Sequence, residues 1–94
     1  MKKQVTFRHL QSRDDLRAAA MDIMNRFERF NEGITSAAVE FTAESQNIVE
    51  FKVHVQGHVL VVKEASDDFM KGLNTGADKM VRQLKKHRQK LIGI

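Results

Sequence analysis

Between positions 79 and 90 the chain places six basic residues, Lys79, Arg82, Lys85, Lys86, Arg88 and Lys90, and no acid. At about 100° per residue on a helix, Lys79, Arg82, Lys86 and Lys90 fall in one stripe. Cations gathered this way repel one another, and binding a polyanion offsets that repulsion. The competing reading is a solvated helix end whose cations complement the C-terminal dipole. The charge distribution favours the first. The chain carries a net charge of +4, yet outside positions 79–90 it holds ten basic and twelve acidic residues. Its basic character therefore originates in one segment.

Other chemistries find little support. His9, His54, His58 and His87 are scattered and have no cysteine partners. His54 and His58 approach each other across a tight hairpin, but no carboxylate is aimed at the same point, so no metal site is expected. No glycine-rich loop follows a strand and opens a helix. Asp14-Asp15 and Asp67-Asp68 fall in helix first turns, where capping explains acids better than acid–base catalysis. The expectation is a binding protein without catalytic residues, cofactor or small-molecule substrate. Tyrosine and tryptophan are absent and the six phenylalanines fall mostly at core positions. A stacking platform for single-stranded bases is therefore not expected, which favours folded RNA met through shape and backbone. An acidic protein surface or an anionic lipid would suit the same helix.

The elements that must position the basic stripe follow from periodicity. Residues 4–10 alternate, with Val5, Phe7 and His9 on one side and Thr6, Arg8 and Leu10 on the other, as in a half-buried strand. Ser12 reads as a helix N-cap with Asp15 three residues on. Leu16, Ala20, Ile23, Phe27 and Phe30 then trace an amphipathic helix, with Gly33 as its left-handed cap. Strands follow at 34–43, 48–55 and 58–65. Glu44-Ser45-Gln46-Asn47 and Gln56-Gly57 form the turns. In the last strand, Val59-Leu60-Val61-Val62 gives no clear face. Ser66-Asp67-Asp68 caps a long helix whose apolar stripe is Phe69, Leu73, Ala77, Met80, Leu84 and Leu91, with Gly93 to end it. Gly72 and Gly76 weaken a helix interior, so a close helix–helix approach is expected there.

The order β-α-β-β-β-α predicts an α+β fold, one four-stranded sheet with two helices packed on one face. The other face, with Thr6, Arg8, Glu50, Lys52 and His54, should be solvated. Ninety-four residues make a single domain over 1–94. No apolar run exceeds four residues, so neither a membrane span nor an apolar leader is expected. Cysteine is absent, which excludes disulfides and thiolate sites and fits a reducing cytoplasm.

Two stretches carry a family resemblance. One is Val5-Thr6-Phe7-Arg8-His9-Leu10 with Asp14-Asp15-Leu16-Arg17. The other is Lys63-Glu64-Ala65-Ser66-Asp67-Asp68-Phe69-Met70 with Asp78-Lys79-Met80-Val81-Arg82-Gln83-Leu84-Lys85-Lys86-His87-Arg88-Gln89-Lys90-Leu91. Together they resemble the bacterial ribosome hibernation factors, the ribosome-associated inhibitor (protein Y) and hibernation-promoting factor family. The resemblance implies a fold like that of double-stranded-RNA-binding domains. It implies a cytoplasmic stress-response protein that binds 16S ribosomal RNA of the small subunit in the mRNA and tRNA channel and inhibits translation by occlusion. Carried over by position, the RNA-facing residues are Lys79, Arg82, Lys86 and Lys90, with Lys85 and Arg88 beside them, and Arg8, Arg17 and Arg26 from the first half. The turn at Glu44–Asn47 is shorter than the family's usual loop. Met70 replaces an aromatic, and Gly72-Leu73-Asn74 stands where Ala-Ile-Asp is common. The chain looks like the short form, which implies a separate ribosome-dimerising partner. A general structured-RNA-binding domain and a module for an acidic protein remain the alternatives.

Overall fold

A computed structural model describes the backbone of residues 1–92 and the side chains through His87. The elements are β1 (Lys2–Arg8), α1 (Asp14–Phe30), β2 (Ile34–Ala43), β3 (Asn47–Val55), β4 (His58–Ser66) and α2 (Phe69–Ile92). The strands form one sheet in the order β1-β2-β3-β4, with β1 parallel to β2 and the other neighbours antiparallel. A parallel neighbour needs a crossover, and α1 provides it.

Alternation sorts the sheet into two faces. Val39 and Phe41 of β2 and Val49, Phe51, Val53 and Val55 of β3 are buried. They join Leu16, Ala20, Ile23, Met24 and Phe27 of α1 and Phe69, Leu73, Ala77, Met80 and Leu84 of α2 in one core. Aromatic contacts tie the layers: Phe41 stacks on Phe7 of β1 at 5.2 Å and meets Phe69 edge-on at 5.7 Å, while Phe51 packs on Phe27 at 6.1 Å. The face of β4 that periodicity left open is decided by register. Leu60 and Val62 lie opposite Val53 and Phe51 and turn inward, whereas Val59 and Val61 are 51% and 45% exposed on the outer face. With Lys63 and Ala65 they make the outward row of β4, a sheet edge.

The turn at Gln56-Gly57 has positive φ at both positions, +49° and +79°, as a two-residue hairpin turn of primed type requires. The long helix is capped as expected: Asp68 Oδ1 accepts the Met70 N–H at 2.9 Å, and Ser66 Oγ accepts that of Asp68 at 3.3 Å.

Several local expectations need correction. β1 ends at Arg8, because His9 takes a left-handed φ of +62° and leaves the strand. α1 starts one residue later than Ser12 would dictate. Its N-cap is Arg13, whose guanidinium forks onto Asp15 at 2.7 and 3.2 Å. That hydrogen bond holds the Asp15 carboxyl below its usual range. Gly33 does not form a left-handed cap. Asn31 ends α1 by turning extended (φ −157°), and its side chain accepts the Gly33 N–H at 2.8 Å. A Cβ at Gly33 would lie 2.7 Å from Cγ of the exposed Gln56 side chain, which would have to shift to admit it. Gly72 and Gly76 likewise face the sheet, beside Val49 and Phe51, and not the other helix. The expected stop at Gly93 lies outside the described residues, as do the side chains of Arg88, Lys90 and Leu91.

Candidate nucleic-acid interface

α2 packs on β3, β4 and α1, and its buried stripe leaves the cations on the remaining surface. They do not share one environment. Lys79 Nζ reaches across to β4 and forks onto the Glu64 carboxylate at 2.9 and 3.0 Å. Its side chain is half exposed while that of Glu64 is 17% exposed, so the pair is anchored from the sheet side. Lys85 lies on the other flank, with Nζ 5.3 Å from the centre of the Phe30 ring of α1. Arg82 and Lys86 are exposed and take part in no ion pair among the described residues.

Among the described residues of the 79–87 segment, Arg82 and Lys86 have no ion pair, Lys79 is tethered to an acid and Lys85 rests on an aromatic ring. On a helix fixed by five buried side chains, Arg82 and Lys86 are held about one turn apart. Such an array can accept phosphates without ordering backbone first, since α2 is already formed. Lys90 and Arg88 continue the sequence pattern, but their side chains lie outside the described residues.

The residues from the first half are placed elsewhere. Arg8 is on the outer sheet face, 3.7 Å from Glu40, so the sheet separates it from α2. Arg17 of α1 covers the Phe7 ring at 5.3 Å. Arg26 is exposed on α1 and makes no ion pair among those described. The structure gathers Lys79, Arg82 and Lys86, and leaves Arg8 apart from them.

Sequence reasoning missed Glu64 as the counter-charge of Lys79. It also missed a cluster at the far end of β4, where the rings of His58 and His87 meet edge-to-face at 5.0 Å. His87 Nε2 lies 3.3 Å from Gln56 Oε1. A signal existed. β4 and α2 are joined by only Asp67 and Asp68, so they run back along each other. Eight strand residues span about 26 Å and eighteen helical residues about 27 Å, which brings His58 level with His87. His54, which the hairpin could have brought toward His58, sits opposite Val59 on the outer face.

No group of three or more histidines and acids converges on a metal position among the described residues. No helix described is long and apolar enough to cross a membrane.

Comparison with known proteins places these features in context. The family model described as sigma 54 modulation protein / S30EA ribosomal protein matches residues 3–92. A ribosome hibernation promoting factor of Azotobacter vinelandii is 32% identical over 93 residues, spanning 98% of this chain and 87% of that protein. One from Pseudomonas putida is 29% identical over 91 residues, 96% of this chain and 89% of the relative. Among solved structures, the N-terminal domain of Thermus thermophilus Protein Y superposes with a TM-score of 0.83 at 22% identity, covering 93% of this chain and 99% of that one. A ribosomal subunit interface protein from Coxiella burnetii gives 0.86 at 22% identity, with 94% and 98% covered. These two superpositions establish the shared fold.

Proposed function

Because the chain belongs to the sigma 54 modulation protein / S30EA ribosomal protein family, we propose that it is a hibernation factor that seats on the small ribosomal subunit through α2 and silences translation by occlusion. It is a ribosome-associated binding protein and not an enzyme. In the proposed mechanism Arg82 and Lys86 contact 16S ribosomal RNA phosphates, and Lys79, Lys85, Arg88 and Lys90 extend the same footing. The folded domain then fills the channel otherwise used by mRNA and tRNA. A separate ribosome-dimerising factor would act beside it, in the cytoplasm.

The observation that carries this reading is the pair of exposed cations, Arg82 and Lys86, with no ion pair among the described residues, on a helix seated in the core. Phosphate contacts of this kind position a protein and release counterions, so affinity should fall steeply with salt. Cosedimentation with separated subunits at low and high salt is the test. Binding to small subunits at low salt, displaced by mRNA with initiator tRNA and weakened by added salt, is the expected result. Preference for the large subunit, or no binding at low salt, would overturn it. Equal affinity for arbitrary duplex RNA would favour a general structured-RNA binder.

The Glu64–Lys79 pair yields a prediction of unusual sign. Replacing Glu64 with glutamine removes an acid beside the footing and releases Lys79 for one further phosphate. Small-subunit affinity should rise about five- to eightfold at 0.1 M salt, and the slope of log K against log salt should steepen by about 0.7–0.9. Unchanged affinity and slope would show that Lys79 stays clear of the RNA.

A further inference from the structure

A groove of about 190 Å³ opens between β4 and α2, lined by Leu60, Gln83, Lys86 and His87. That is room for roughly six waters at ~30 Å³ each, ample for one planar heterocycle. Its lining is mixed in a particular way. Leu60, half-buried, offers an apolar wall, and Gln83, also half-buried, offers an amide with donors and an acceptor. Lys86 stands exposed at the rim. His87 is half-buried and doubly held: His58 packs edge-to-face against its ring, and Gln56 Oε1 lies 3.3 Å from Nε2.

We propose that this groove takes one unpaired nucleobase of the bound RNA. The base lies against Leu60 and the His87 ring, the Gln83 amide meets its hydrogen-bonding edge, and Lys86 holds its phosphate. This deepens the reading of α2 as an RNA footing and rests on it. Unstacked bases in folded RNA are commonly received on imidazole or other aromatic faces, with their edges read by amides. The absence of tyrosine and tryptophan therefore does not exclude stacking here. Two neighbours fix the orientation of His87, so its ring is set before the base arrives. Lys86 serves both functions: it belongs to the exposed cations of α2 and to the rim of the groove, which places a phosphate and its base within one nucleotide of each other.

The test uses two RNA hairpins with the same stem, one carrying a single bulged nucleotide and the other an abasic ribose at the bulge. Wild-type protein should bind the first roughly tenfold more tightly, the scale of one stacked base. His87→Ala should bring that ratio close to one, and His87→Phe, which keeps a ring, should restore most of it. A role for His87 in folding alone would not change the ratio between two probes. Equal affinity of the wild-type protein for both hairpins overturns the groove, as does a tenfold ratio that survives His87→Ala. Small-subunit cosedimentation run alongside separates the two claims. If it persists while the hairpins are not distinguished, the groove fails and the ribosomal reading stands. If both are lost, both fail.

Discussion

Arg82→Glu combined with Lys86→Glu is expected to lower small-subunit affinity at least about fiftyfold at 0.1 M salt. Each phosphate contact contributes about 0.7–0.9 to the slope of log K against log salt. Measured from 1 M down to 0.1 M salt, two lost contacts amount to roughly 25- to 60-fold, and the reversed charges add repulsion. The salt slope itself should fall by about 1.4–1.8. Both residues are exposed and free of described ion pairs, so the thermal midpoint should stay near that of the parent. Lys79→Gln should cost less than Arg82→Gln, because the Lys79 ammonium is already engaged by Glu64. Cosedimentation across a salt series with a thermal melt on each variant checks all of this. Unaltered binding by the double variant would remove α2 as the footing.

The second large effect concerns two glycines one helical turn apart, which should respond to alanine in opposite directions. In an exposed helix, either replacement would stabilise by about 1 kcal/mol. At Gly76 the new Cβ would overlap the Phe51 ring, with Cδ2 only 3.1 Å away. Phe51 is fully buried and packed on Phe27, so its ring has little room to yield. Overpacking of this kind costs about 1–3 kcal/mol, and a clash with the edge of a fully buried ring belongs at the upper end. Net destabilisation of about 2 kcal/mol should lower the melting temperature by roughly 8–16 °C for a domain of this size. At Gly72 the nearest atoms would be Ser66 Cβ at 3.4 Å and Val49 Cγ2 at 3.5 Å, ordinary contact. Gly72→Ala should therefore raise the midpoint by a few degrees. Calorimetry on the two variants decides it. A stabilised Gly76→Ala would show that α2 can lift from β3.

The fold was legible because its signals are periodic. Val49, Phe51, Val53 and Val55 alternate, Leu16 to Phe27 recur at helical spacing, and the Gln56-Gly57 turn announces a hairpin. Each of these depends only on near neighbours in the chain. Most of the failures involve partners distant in sequence. Its place after a helix points to Gly33 as a cap, whereas the neighbour that a side chain there would displace is Gln56, on the β3–β4 turn. Gly72 and Gly76 were assigned to a helix pair, whereas their constraint comes from β3. Ser12 is the local exception: Arg13 stands at the N-cap position, and its guanidinium pairs with Asp15 two residues on. The interface followed the same rule. The spacing of Lys79, Arg82 and Lys86 put them on one stripe, but that Lys79 is spoken for and Lys86 is not depends on where β4 lies.

The outward row of β4 has a consequence for how the protein behaves among its own copies. An edge strand with free backbone groups and two exposed valines is what a neighbouring chain would extend into a longer sheet. Lys63 stands between Val61 and Ala65 in that row. A charged side chain on an edge strand is one of the features by which natural sheets discourage pairing with another chain. Lys63 thus sets a charge among the apolar positions that a docking strand would have to match.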